Sequence, residues 1–153
     1  MLNRVEFIKK YGGIYEHSPW IAEAAFRADA ETIDRIYAVM KTAVDTAERD
    51  RQLALIRAHP DLASKTKMTN DSVSEQKDAG LDQCSAEEFA EFQKLNDAYK
   101  EKFGFPFIVA VKGMTRQDIL DVFRLRIQND PPSEFKNALT QIHRIARFRL
   151  DSL

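Results

Sequence analysis

The sequence has few of the residues that staple, span or chelate. It holds a single cysteine, Cys84, among 153 residues. One cysteine cannot close an internal disulfide and has no partners for a cysteine-based zinc site, and such usage fits a reducing compartment. No apolar run approaches the roughly 20 residues of a membrane span. The opening MLNRVEFIKKYG has no signal-peptide apolar core, and the closing DSL lacks the basic residue of a peroxisomal SKL signal. The default compartment is therefore the cytoplasm. A formal net charge of −1 offers no basic field for nucleic acid and no acidic tail. There is no phosphate-cradling GxxxxGK loop and no GxGxxG turn. His17, His59 and His143 have no HExxH-like ligand spacing, so no metal centre is expected. Cys84, just before a helix, reads as a passive thiol rather than a nucleophile.

What the chain does have is helix punctuation. Asn3 with Glu6 reads as a capping box closed by Gly12-Gly13, and Ser18-Pro19 as an N-cap with proline at the first helical position. Ile33, Ile36, Tyr37, Met40 and Val44 share one helical face. A further helix is predicted from about Ala47 to the His59-Pro60 stop, followed by a polar loop over Asp61–Asp71. Ser72 with Glu75 and Ser85 with Glu88 read as two more capping boxes, and Thr115 as the cap of a helix through Ile127. Pro131-Pro132 are predicted to break the chain before a last helix from Ser133 to about Leu150. Only FGFPFIVAV, residues 103–111, has β-like composition, and it has no second strand to pair with. The expected fold is all-α: one domain over residues 1–153, a bundle of about seven to nine helices with one short, extended, buried segment.

Three residues stand out chemically, and each has a plain alternative. His59, followed by a helix-stopping proline, is either an imidazole favoured by the helix C-terminal dipole or a rigidly aimed acid or base. Glu75 is either half of a capping box, or part of a polar helix start, Ser72 to Gln76, whose free N–H groups suit an anionic or ureido-bearing ligand. Arg149 lies on the apolar stripe of the last helix with Phe135, Leu139, Ile142 and Ala146. A guanidinium there needs an internal salt bridge, a route to solvent, or a substrate to grip bidentately. Arg126 also sits on its helix's stripe, where a structural ion pair is the favoured reading.

In order along the chain, YGGIYEHSPWIAEAA, LIRAHPDLA, DSVSEQKDAGLD, LNDAYKEKFGFPFIVAVKG and RIARFRL resemble the 2-oxo-4-hydroxy-4-carboxy-5-ureidoimidazoline (OHCU) decarboxylases of uric acid degradation. HPDLA, SxxEQxxAGL and FGFPFIVAVKG carry most of the specificity. The resemblance implies an all-helical, cofactor-free enzyme, commonly a homodimer, that takes a small ureidoimidazoline to S-allantoin and CO2. It implies His59 as the acid/base, with Glu75 and Arg149 as its catalytic companions. It implies substrate contacts from Pro60, from Ser72, Val73, Ser74, Glu75 and Gln76, from backbone groups of Phe107, Ile108, Val109 and Ala110, and from Arg149. Val73 stands where the family often has threonine, a change of little consequence if that position acts through its backbone. Two other readings compete: a non-catalytic helical binding module, which predicts an apolar groove without buried polar residues, and a hydrolase of a related ureide, which needs a way to position water.

Overall fold

The computed structural model describes residues 2–64 and 68–153. The middle of the predicted Asp61–Asp71 loop, residues 65–67, lies outside them. Among the described residues there are eight α-helices, one 3-10 turn and no strand, so the all-α expectation holds. No helix among them is long and apolar enough to cross a membrane. The chain divides into two compact units, one of residues 1–58 and 142–153, the other of residues 59–141.

The first unit holds α1 (Arg4–Tyr11), α2 (Pro19–Arg27), α3 (Ile33–Asp45) and α4 (Arg49–Arg57), together with residues 142–151 of α8 (Pro131–Asp151). α1 packs on α2 and α2 on α3. The capping box of Asn3 and Glu6 forms as its sequence requires. Ser18 does sit at the N-cap of α2, but its hydroxyl donates back to the Glu16 carbonyl at 2.8 Å and caps nothing ahead of it. Ile36, Met40 and Val44 are the buried face of α3. α4 starts two residues later than predicted, behind Glu48, and ends at Arg57 with Ala58 as its C-cap.

The second unit holds α5 (Asn70–Asp78), the 3-10 turn Leu81–Gln83, α6 (Ala86–Phe103), α7 (Arg116–Arg126) and residues 131–141 of α8. Its core is aromatic. Tyr99 is fully buried and meets the rings of Phe103, Phe105, Phe107 and Phe123 at centroid distances of 4.4 to 6.0 Å. Gly104, at φ 78°, supplies the left-handed residue that ends α6. Beyond it, residues 106–111 run without helix, turn or bend, and Phe107 to Val111 are all buried. This is the predicted extended segment, which starts at 106 rather than 103 because Phe103 closes α6 and residues 104–105 bend.

Two further predicted boundaries are corrected. α5 does not start at Ser72: Thr69 is its N-cap and accepts from the Ser72 N–H at 3.3 Å. Thr69 is as good a cap by chemistry and lies one turn earlier, so the longer helix wins. Pro131 and Pro132 lie inside the first turn of α8 rather than ahead of it. The first N–H groups of a helix have no partners within it, so proline costs nothing there. Asp130 caps the turn instead, taking the Ser133 N–H at 3.0 Å.

Candidate active site

The candidate residues are built from local segments. His59 is the second residue beyond α4, just past its C-cap, and is 9% exposed. Pro60 follows and ends helical propagation. The chain then turns through Asp61, Leu62 and Ala63, the last with φ 57°. A left-handed alanine is strained by about 1–2 kcal/mol, so its surroundings must hold it. Gln76 does so. Its Oε1 accepts the Ala63 N–H at 3.0 Å, and its Nε2 donates to the Asp61 carbonyl at 3.3 Å. Asn96 of α6, 2% exposed, donates to the Leu62 carbonyl at 3.0 Å. Three consecutive residues after His59-Pro60 are thus tied by side chains from α5 and α6.

The SxxEQ run lies within α5. Ser72 and Gln76, one turn apart, are buried at 5% and 8% exposure, Glu75 is half-buried, and Val73 and Ser74 face outward. Because the Ser72 N–H is taken by Thr69, and the Val73 N–H by the Thr69 carbonyl at 2.9 Å, these positions are not an open helix start. The expected ligand cradle of free N–H groups at Ser72–Gln76 is therefore replaced by side chains on a helix face. A cleft of about 340 Å³ opens between Val73, Gln76 and Lys77 on one side and Ala63 and Ser64 on the other.

Of the extended segment, two backbone groups are engaged by side chains. The Ile108 carbonyl accepts from Arg126 Nη1, and the Ala110 N–H donates to Gln141 Oε1 at 3.0 Å. Arg126 itself pairs with the fully buried Glu134 at 3.0 Å, the ion pair favoured from its position.

Arg149 belongs to the other unit. Its side chain is 6% exposed and its Nη1 donates to the carbonyls of Gly13 and Ile14 at 3.2 and 3.4 Å and reaches Glu16 Oε1 at 3.5 Å. A buried guanidinium on an apolar stripe has found a buried carboxylate, since Glu16 is only 1% exposed.

Comparison with known proteins agrees with the helical architecture and places the family. The family model for OHCU decarboxylase covers residues 1–151. This chain belongs to the OHCU decarboxylase family. The 2-oxo-4-hydroxy-4-carboxy-5-ureidoimidazoline decarboxylase of Haloferax volcanii is 42% identical over 153 residues, 97% of this chain and 91% of that one. The uric acid degradation bifunctional protein of Bacillus subtilis is 48% identical over 91% of this chain, which spans 28% of that longer protein. A crystal structure of (S)-allantoin synthase, 36% identical, superposes with a TM-score of 0.79 over 99% of this chain and 50% of its own. A crystal structure of OHCU decarboxylase in the presence of (S)-allantoin, 24% identical, has a TM-score of 0.74 over 87% of this chain and 89% of that one, a likeness of fold.

Two polar groupings in this family member escaped the sequence reading. Glu16, the partner of Arg149, lies in the quoted YEHSPW, where a carboxylate between a tyrosine and a histidine looks like any surface residue. The second is a hydrogen-bonded chain: Tyr15 Oη to His143 Nδ1 at 2.7 Å, and His143 Nε2 to Asp45 Oδ1 at 2.9 Å. A carboxylate only accepts, so Nε2 carries the proton and Nδ1 accepts from Tyr15. Burial, followed by the charges of Tyr37 and Asp45, pushes the Tyr15 phenol far above its ordinary value. Burial lowers His143 despite Asp45. Cys84, by contrast, is shifted upward by burial and then by Glu88, which makes it a poor thiolate.

Proposed function

We propose that this chain is a carboxy-lyase that converts OHCU to (S)-allantoin and CO2 without a cofactor, as a cytoplasmic homodimer. The observation that carries the reading is the Gln76 bridge, which joins the HPDLA and SxxEQ motifs at hydrogen-bond distance. His59, Ser72 and Gln76 are all buried polar residues, a feature for which a groove that binds a partner helix has no use.

OHCU carries a carboxylate and a hydroxyl on one carbon, next to a C=N bond. Loss of CO2 breaks the bond to the carboxylate carbon and leaves its electron pair on the ring carbon, where the neighbouring C=N bond delocalises it. The pair forms a C=C bond as the C=N nitrogen takes a proton. The hydroxyl then gives up its proton to become the ring carbonyl, while the neighbouring ureido-bearing carbon takes a proton on one face. The substrate supplies its own electron sink, which is why none is asked of the protein. His59 is the residue for the proton transfer: the rigid helix exit and Pro60 limit the directions its imidazole can take. Glu75 tunes or orients that imidazole. The α5 face holds the ring and ureido oxygens, so that the departing carboxylate is aligned with the sink. A positioned acid or base contributes about 10²–10⁴-fold.

The test is the rate of His59→Asn on freshly generated OHCU, followed by circular dichroism. The wild type should speed CO2 loss and give one hand of allantoin, and the variant should lose most of the acceleration. Wild-type turnover by the variant removes His59 from the mechanism. Racemic product at the uncatalysed rate from the wild type removes the activity.

A further inference from the structure

In an extended run, the N–H and C=O of one residue point to the same edge, and those of the next residue point to the opposite edge. Along residues 106–111 this places Ile108 and Ala110 on one edge and Val109 on the other. Both side-chain tethers fall on the first edge: Arg126 Nη1 on the Ile108 carbonyl and Gln141 Oε1 on the Ala110 N–H. On the second edge the Val111 carbonyl takes the Met114 N–H at 3.0 Å, a local turn. Among the described residues, neither the N–H nor the C=O of Val109 has a partner within the chain, although Val109 is 8% exposed. Buried backbone groups seldom stay unpaired, so the first edge is held by side chains while the Val109 groups on the second are left for something from outside.

The holding side is elaborately fixed. Arg126 pairs through Nε with Glu134 at 3.0 Å, and its guanidinium lies 4.5 Å from the centre of the Phe107 ring. Phe107 in turn stacks on Phe123 at 3.9 Å and 12°. Glu134 also accepts from Tyr99 at 2.6 Å, Asn137 at 2.6 Å and Asn129 at 3.0 Å. A guanidinium held by a carboxylate, a ring face and a carbonyl has one orientation, which a lysine cannot copy.

We propose that Arg126, oriented by Glu134, and Gln141 are positioning residues that clamp the Ile108–Ala110 edge so that the Val109 backbone is presented to substrate. This rests on reading Phe107–Ala110 as a substrate-facing wall. The pair acts through the backbone and touches no reacting atom.

The test compares Gln141→Leu, Gln141→Glu and Arg126→Lys with the wild type, by steady-state kinetics on OHCU and by thermal melting. Gln141→Leu removes the acceptor from a half-buried position, whereas Gln141→Glu keeps an oxygen there. We expect KM to rise about tenfold in Gln141→Leu and Arg126→Lys, the effect of losing one hydrogen bond's worth of alignment. The kcat value should change less, and Gln141→Glu should restore KM. If Arg126→Lys does not fold, the Gln141 pair carries the test alone. An unchanged KM in Gln141→Leu, with His59→Asn inactive, overturns the clamp and leaves the site reading standing. A His59→Asn enzyme with wild-type turnover overturns the site reading itself.

Discussion

Gln76 Oε1 accepts the backbone N–H of Ala63 at 3.0 Å, across thirteen residues of sequence. With the Nε2 contact to the Asp61 carbonyl, one side chain completes a turn that contains a left-handed alanine. The shape of the chain after His59 therefore depends on α5.

Gln76→Leu should expose that dependence. It keeps the volume but leaves a buried N–H and a carbonyl unpaired, at a cost of about 1–3 kcal/mol. Urea melts should show that loss, and turnover on OHCU should fall with it. An unaltered melt would mean that the turn stands without α5.

The corrected start of α5 predicts an asymmetry between two small residues. Thr69→Ala removes the N-cap oxygen and should cost about 1 kcal/mol, whereas a cap at Ser72 would put that loss on Ser72→Ala instead. Paired melts of the two variants distinguish them through the order of their midpoints.

The Arg149–Glu16 pair is buried on both sides, with side-chain exposures of 6% and 1%. Removing one partner from such a pair strands the other, which costs about 3–5 kcal/mol. Glu16→Gln and Arg149→Met should each be strongly destabilised, and the double variant should be more stable than the sum of the two losses implies. Additive losses in a double-mutant cycle would show that the two side chains act independently.

His143 predicts a pH dependence. Burial holds its folded pKa below the unfolded value near 6.5. Of its charged neighbours, Asp45 favours protonation and Lys41 opposes it, while Tyr15 stays neutral. The unfolded chain therefore takes up the proton first as pH falls. The contribution of neutral His143 is complete above about pH 6.5 and is lost as pH drops through its lowered folded value. Thermal midpoints measured from pH 7.5 down to 5 should decline less steeply in His143→Gln. Parallel curves for variant and wild type would assign the decline to other groups.

Much of the fold was legible because helix ends are local chemistry. Asn3 with Glu6, Ser85 with Glu88 and Thr115 all cap helices as their sequence reads, since a cap needs only neighbours three residues away. The misreadings came where two local signals competed. Thr69 and Ser72 are both capable caps, and nothing within one turn ranks them. Ser18 has cap chemistry but spends its hydroxyl on Glu16.

The candidate site shows the same division. Sequence alone marked His59, the SxxEQ run and Arg149, through a proline stop, an ordered set of motifs and a charge on an apolar stripe. It also determined that the chain is helical, because capping and 3.6-residue periodicity are properties of short windows. It could not name the partners: Glu16 for Arg149, Gln76 for the turn after His59, Asp45 and Tyr15 for His143. Those pairings join residues 13 to 133 positions apart. Desolvation makes each of them obligatory once the group is buried, and only the tertiary structure decides which groups are buried together.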